Sequence, residues 1–340
     1  MTKHNGENSL KLWQKMFTAA MIITASIISG TLIYVQYFSR RRLLVSTTTS
    51  LWESDLLKEV EKAFEAKYPI DLQFTAAGTG IAIEQGRNGD VDCVLVHAPS
   101  QEINFLQQGF GSCRKIIAYN FFTIIGPSND PAQINGQNAT EALKRIVEHG
   151  RDQTGRVWVS RGDNSGTHTK EQSLWKSAGF NYTLVSAESW YASRGGGMGE
   201  TLMMTEEFSA YTLSDIGTYL KYHEKDQLIT LDSFMEEKYE LLNVYSVMAV
   251  NQTHHKHVNF NDTITFIKFL ISDEGQQLIE NYGKTDYGAS GRLFHAAVQF
   301  VTANSTEQIA QWIKKYAFFG NPPTECPPEY RDTVCPELYT

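Results

Sequence analysis

Val157-Trp158-Val159-Ser160-Arg161-Gly162-Asp163-Asn164-Ser165-Gly166-Thr167-His168 joins an apolar, β-prone run to a helix that reads from Thr169 to Trp175. The residues between are mostly small and polar, so they occupy a strand-to-helix turn. Such a turn presents unpaired backbone N–H groups and the positive end of a helix dipole, and small side chains let an anion come close. Arg161 adds a fixed cation at the mouth. A capped helix start beside a surface arginine would explain one such turn, but two more turns of the same kind lie upstream.

The first follows the short strand Leu43-Leu44-Val45-Ser46. Thr47-Thr48-Thr49-Ser50 turns there into a helix that runs to about Lys67, with capping-box spacing at Ser50 and Glu53 and an apolar face of Leu57, Val60 and Phe64. One hydroxyl suffices to cap a helix, so the others are in excess. The second follows Ile70 to Thr75, whose alternation predicts a strand, and opens a helix at Gly78-Thr79-Gly80. This is not a dinucleotide fingerprint: Ile83 stands where the third glycine belongs, and no acid follows about twenty positions on.

The remaining chain alternates in the same way. Strands are expected at Val91 to Val96, Ile116 to Gly126, Ser209 to Leu213 and Leu241 to Val250. Helices are expected at Thr140 to His149, from Ser214 or Asp215 to Tyr222, at Asp262 to Ile271, at Asp273 to Tyr282 and at Thr306 to Tyr316. Gly195 to Glu200 is a further glycine-rich helix start. Alternation on this scale predicts parallel sheet with helices on both faces. Asn129 to Gln137 is polar and contains Pro131 and Gly136, which suits a crossing between domains. Leu241 to Val250 suits a strand that returns to the first.

A chain of 340 residues is long enough for two domains with real cores. Its net charge of -8 and pI near 5.6 leave no basic stripe to collect phosphates, which excludes nucleic acid as a partner. Phe17 to Phe38 is uncharged and mostly apolar, flanked by Lys3, Lys11 and Lys15 on one side and Arg40-Arg41-Arg42 on the other. It is expected to be a signal anchor through the membrane over residues 17–38, with no cleavage pattern at its end. Cys93 reads as a buried free thiol in a strand. Cys326 and Cys335 flank a Pro-rich tail and are expected to form a disulfide in an oxidising compartment. Five sequons, at Asn138, Asn181, Asn251, Asn261 and Asn304, agree with an exported glycoprotein.

Two motifs invite other chemistry. His254-His255-x-His257 suggests a metal, but it lies in a polar loop with no second ligand group at fixed spacing, so no metal or other cofactor is expected. Ser165 and His168 suggest a nucleophile and base, but they stand one helical turn apart without an orienting acid, so no catalytic residue is expected.

Thr47-Thr48-Thr49-Ser50, Gly78-Thr79-Gly80, Gly89-Asp90-Val91-Asp92 with Val96-His97-Ala98-Pro99, Ser160 to His168 with Lys170-Glu171, Gly197-Met198-Gly199, Ala210 to Asp215 with Gly217 to Leu220, and Leu241-Leu242-Asn243 together resemble the tungstate-binding proteins of ABC importers, in the type II periplasmic-binding-protein class. The resemblance runs in order from about Leu43 to Phe294. It implies an α/β fold of two lobes, each a mostly parallel sheet flanked by helices, with a tetrahedral oxyanion, tungstate or molybdate, in the cleft between them. The matching ligand-binding positions are Thr48, Thr49 and Ser50, Gly78, Thr79 and Gly80, and Arg161, Ser165, Gly166 and Thr167. The implied role is a solute receptor, not an enzyme, with an ABC permease as partner and the binding domain extracytoplasmic.

Residues 1–42 then form the tail and anchor, 43–127 with 243–300 the first lobe, 128–242 the second, and 301–340 a C-terminal helix and cysteine tail. Leu51-Trp52 departs from the family pattern and places an indole near the mouth. An interaction scaffold, or an enzyme acting on a small anion, are the other functions that such a chain could serve.

Overall fold

A computed structural model describes Trp13 and residues 15–29, 40–284 and 292–317. Its strands are β1 (Arg41–Thr48), β2 (Ile70–Ala77), β3 (Cys93–Val96), β4 (Gly111–Pro127), β5 (Trp158–Ser160), β6 (Tyr191–Ser193), β7 (Thr212–Asp215), β8 (Leu231–Ser233), β9 (Leu242–Val250) and β10 (His295–Ala296). An eight-stranded sheet runs in the order β10-β4-β9-β3-β1-β2, all strands of the expected first lobe, and β7 and β8 join it by pairing with β4. β1 lies parallel to β2 and β3, with Val45 opposite Phe74 and Cys93. Helices cover both faces, as the alternation predicts. Leu57, Val60 and Phe64 pack on one side of β1, and Ala82, Ile83 and Phe105 on the side of Val94 and Val96. Phe64 is fully buried against Phe266 and Phe269, edge-to-face at 5.2 and 5.4 Å. Such a side chain contributes about 1.5–3 kcal/mol by burial alone.

The expectation of mostly parallel sheets is corrected. β9 runs antiparallel to β3 and β4, and β7, β8 and β10 run antiparallel to β4; among the described residues outside the first lobe, only β5 and β6 form a parallel ladder. The reason is that the chain crosses between lobes on β4 and returns on β9, and a strand pair that goes out and back is antiparallel. β4 is buried at all 17 positions, so its apolar run is read by two sets of partners. Gly111 to Phe121 pairs with β9, and Phe122 to Pro127 with β7 and β8.

The partners of β4 therefore change at Phe121–Phe122, ahead of the polar stretch after Pro127 where the crossing is expected. That stretch packs on the second lobe, where Tyr211 Oη donates to Asp130 Oδ1 (2.9 Å) and Ser128 N to Thr230 O (2.9 Å). The first lobe's core also continues past residue 300, through Val301, Ala310, Ile313 and Ala317.

The helix expected from Ser50 to Lys67 is two helices, Thr49–Glu53 and Leu56–Lys67, because Asp55 takes a left-handed φ of 67°. Residues 15–29 are helical and exposed. Among the described residues no helix is long and apolar enough to cross a membrane. The rest of the expected 17–38 span, residues 30–38, lies outside the described residues, as does the expected Cys326–Cys335 bridge. Cys93 is a buried free thiol, and Cys113 is disulfide-bonded.

Candidate functional site

The Ser160–His168 turn is fixed by its own side chains. Gly162 has φ 60°, and a Cβ there would stand 1.8 Å from Ser193 Oγ, so the sharp turn after Arg161 admits only glycine. Asp163 Oδ1 accepts from Ser165 N (3.1 Å) in an Asx-type turn. Ser165 Oγ caps the next helix by accepting from His168 N (3.2 Å), and His168 Nδ1 accepts from Asn164 N (2.9 Å). The helix starts at Gly166 and runs to Ser177, three residues ahead of the expected start at Thr169.

Under the turn lies Glu171, buried, whose carboxylate accepts from Trp158 Nε1, Ser160 Oγ, Trp175 Nε1 and Tyr191 Oη at 2.9, 2.7, 3.1 and 2.6 Å. Burial pushes its carboxyl above the usual range, and these donors oppose the shift. Ser160 Oγ passes the constraint on by accepting from Gly162 N (3.2 Å).

Arg161 is not at the mouth; its side chain is 1% exposed. Nη2 donates to Asp163 Oδ2 (2.5 Å) and across the cleft to Thr49 Oγ1 (3.0 Å), and Nε donates to Gly196 O (3.3 Å). Nη1 is buried without a hydrogen-bond partner. Asp163 and Glu171 are the residues that sequence reasoning missed as supports. Their signals are an acid two positions after the arginine in a turn, and an acid four positions before a tryptophan on a helix.

From the first lobe, Thr48 and not Ser50 caps Thr49–Glu53, its Oγ1 accepting from Leu51 N (3.3 Å) with Ser50 Oγ 3.4 Å away. Thr47 Oγ1 donates to Leu95 O (3.0 Å), which accounts for one of the surplus hydroxyls. Gly78 caps the helix Thr79–Asn88 without a side-chain bond. A Cβ on Gly78 would lie 3.3 Å from Asp163 O and one on Gly80 3.6 Å from Asn164 O, so this turn touches the Arg161 turn directly. Thr79 Oγ1 and Thr167 Oγ1, like Arg161 Nη1, are buried with no partner.

The structure thus brings the three turns together. Further bonds between the lobes are Gln101 Nε2 to Thr169 Oγ1 (2.8 Å) and Lys221 Nζ to Asp55 Oδ2 (2.6 Å) and to Glu53 O. Glu53 stands at the edge of this contact, where burial pushes its carboxyl up and Arg161 opposes it.

The other motifs resolve structurally. His255 Nε2 and His257 Nε2 lie 2.8 Å from Arg87 O and Gly89 O, at the end of Thr79–Asn88, while the ring of His254 lies tilted against Phe110, centroids 5.0 Å apart. Among the described residues no group of three or more His, Cys, Asp or Glu could hold a metal ion. Ser165 Oγ serves as a helix cap, and His168 Nε2 meets Tyr182 Oη (2.7 Å) and not Ser165. Trp52 is half-buried against Phe74, ring centroids 6.0 Å apart. A cavity of about 680 Å³ lies away from the three turns and is lined by Tyr219, His223, Phe234, Arg292 and His295 among others.

A PBP superfamily domain matches residues 34–274. The tungstate-binding protein TupA of Peptoclostridium acidaminophilum is 36% identical over 250 residues, which cover 73% of this chain and 83% of that protein. The solved tungstate-binding protein TupA of Desulfovibrio alaskensis G20 is 38% identical with a TM-score of 0.62, over 75% of this chain and 98% of that one. The solved tungstate ABC transporter protein of Geobacter sulfurreducens is 42% identical with a TM-score of 0.62, over 71% and 98%. This chain belongs to the PBP superfamily, among relatives that carry the name of tungstate-binding proteins.

Proposed function

We propose that the chain binds a tetrahedral dianion, tungstate or molybdate, between its lobes, as the extracytoplasmic receptor of an ABC importer. The contacts would come from Thr48, Thr49 and Ser50, from Gly78, Thr79 and Gly80, and from Arg161, Ser165, Gly166 and Thr167. One observation carries this reading: Thr79 Oγ1, Thr167 Oγ1 and Arg161 Nη1 are buried and unpartnered on turns in mutual contact. Buried donors without partners cost about 1–3 kcal/mol each, and a desolvated oxyanion is the partner that would satisfy several at once. The names of the relatives agree with that ligand. Donors from both lobes also favour the closed state, so binding and closure are coupled.

Calorimetry of the purified chain with tungstate, molybdate, sulfate and phosphate tests the reading. Tungstate or molybdate should bind at least tenfold, about 1.4 kcal/mol, more tightly than sulfate or phosphate. Equal or absent binding of all four would contradict it.

The membrane anchor over residues 17–38 belongs to the same proposal, supported by the exposed apolar Phe17, Met21, Ile22, Ile23, Ile27 and Ile28. Of the sequons, Asn138, Asn181 and Asn261 are exposed, whereas Asn251 Nδ2 and Asn304 Nδ2 donate to Gly109 O and Phe300 O. Glycans are expected at the first three.

A further inference from the structure

His97 follows β3 directly and is 2% exposed. Its ring stacks on Tyr245 of β9 (centroids 4.9 Å, 19° between planes) and lies 6.0 Å from the ring of Phe122 of β4. Its Nδ1 is 2.8 Å from Asn243 Oδ1. Asn243 Nδ2 donates to Asn120 Oδ1 (2.8 Å) and Tyr245 Oη (3.0 Å), and Asn120 Nδ2 donates to Leu293 O (3.1 Å) and reaches Asp215 Oδ1 at 3.5 Å.

The chain of bonds has a direction. Leu293 O and the Asp215 carboxylate only accept, which fixes the Asn120 amide. Asn120 fixes Asn243, whose Oδ1 must then accept, so His97 carries its proton on Nδ1. Nε2 is left as a bare acceptor, buried and without a partner. That edge of the ring abuts the second lobe, since a Cβ on Gly166 would lie 2.8 Å from His97 Nε2 and Cε1. Gly166 is the first residue of the helix whose start carries Ser165 and Thr167.

We propose that His97, as a neutral Nδ1–H imidazole, is a positioning residue for the oxyanion site: its ring seats Gly166 when the lobes close, and protonation at Nε2 opposes closure. The proposal rests on the oxyanion reading above. An Nε2–H would find no hydrogen-bond partner there, beside the positive end of the helix that Gly166 starts. The groups that face the ring are Asn243, Tyr245, Phe122 and Gly166. Lys170 shares with it a cavity of about 180 Å³, and Asp215, Arg161 and Asp163 act at longer range. Desolvation outweighs the two acids and pushes the closed-state pKa down to about 4.

In an open cleft the same ring would titrate near its ordinary value of about 6.5. Protons then favour the open state between those values, and linkage gives a loss of about tenfold in affinity from pH 7.5 to pH 5.5.

The test measures tungstate affinity of the full chain at pH 7.5 and 5.5 for wild type, His97→Asn and His97→Ala. His97→Asn keeps an amide N–H where Nδ1 stands and cannot titrate. Wild type should lose about tenfold on acidification, and His97→Asn less than about twofold. At pH 7.5 His97→Ala should bind about tenfold more weakly than wild type, with His97→Asn recovering most of the loss. Equal pH slopes in wild type and His97→Asn would overturn the proposal. Ring 15N shifts of His97 in ligand-free protein at pH 7.5 supply a reading that needs no anion. An Nδ1–H tautomer is expected, and an Nε2–H tautomer would overturn the assignment even if tungstate binds elsewhere.

Discussion

Between Ser160 and His168 most polar side chains find partners on their own lobe: Ser160 on Glu171, Asp163 on Arg161 and Ser165, and His168 on Asn164 and Tyr182. Across the cleft, Gly78 caps its helix with no side chain and the Thr79 hydroxyl has no partner. One face of the cleft is held in shape by its own lobe, with a cation set in place beside the unpartnered Thr167 hydroxyl, while the turn at Gly78–Gly80 on the other offers a neutral helix start whose Thr79 hydroxyl is unpartnered. The difference teaches where substitutions should be felt. Changes under the second-lobe turn should reach stability, whereas changes on the first-lobe turns should reach affinity alone.

The largest effect is expected from Glu171→Leu, which leaves Trp158, Trp175, Tyr191 and Ser160 without their acceptor. A loss of about 3–5 kcal/mol in denaturant unfolding is expected, since each stranded donor costs about 1–3 kcal/mol and solvent recovers part of it. A loss under about 1 kcal/mol would mean that the turn does not depend on this carboxylate.

Arg161→Ala comes next. It removes a charged donor and leaves Asp163 Oδ2 without its partner, so oxyanion affinity should fall by about ten- to a hundredfold, or 1.5–3 kcal/mol. Arg161→Lys should recover only part of this, because an ammonium cannot serve Asp163, Thr49 and Gly196 with the geometry of the fork. Unchanged calorimetric affinity in Arg161→Ala would reduce the turn to a helix cap.

Thr79→Val separates the two faces most sharply. The hydroxyl makes no hydrogen bond within the protein, so a methyl of the same shape should leave stability unchanged or raise it, while anion affinity falls by about 0.5–1.5 kcal/mol. A loss of stability with unchanged affinity would reverse the comparison. Thr49→Ala should be mildest, about 0.5 kcal/mol in affinity, since its hydroxyl is already engaged by Arg161 and neighbouring backbone donors remain.

How much of this was legible in the sequence follows from the range of the forces involved. The turns at Thr47–Ser50, Gly78–Gly80 and Ser160–His168 were readable because hydroxyls and glycines at strand-to-helix junctions act locally. β1, β2, β3 and β9 were readable from apolar runs and alternation. The place of the lobe crossing was not, because a β-prone run such as Ile116–Gly126 looks the same whether one set of strands pairs with it or two. Antiparallel pairing was hidden for the same reason: strand direction is set by the return on β9, some 115 residues later.

In the site, Arg161 is legible as a ligand candidate at the mouth of the turn, but its burial is not. Its burial depends on Asp163, Thr49 and Gly196 converging from three segments, which no local pattern encodes. The role of Glu171 was equally hidden, since its four donors come from β5, β6 and its own helix.

The central claim is that one anion is held by both faces at once, and a crystal structure of the chain soaked in tungstate, with tungsten placed by its anomalous signal, tests it most directly. The account predicts a single strong peak between the three turns, with oxygens about 2.7–3.2 Å from Arg161 Nη1, Thr79 Oγ1 and Thr167 Oγ1. A peak in the cavity beside Arg292 and His295, or no ordered tungsten between the turns, would contradict it.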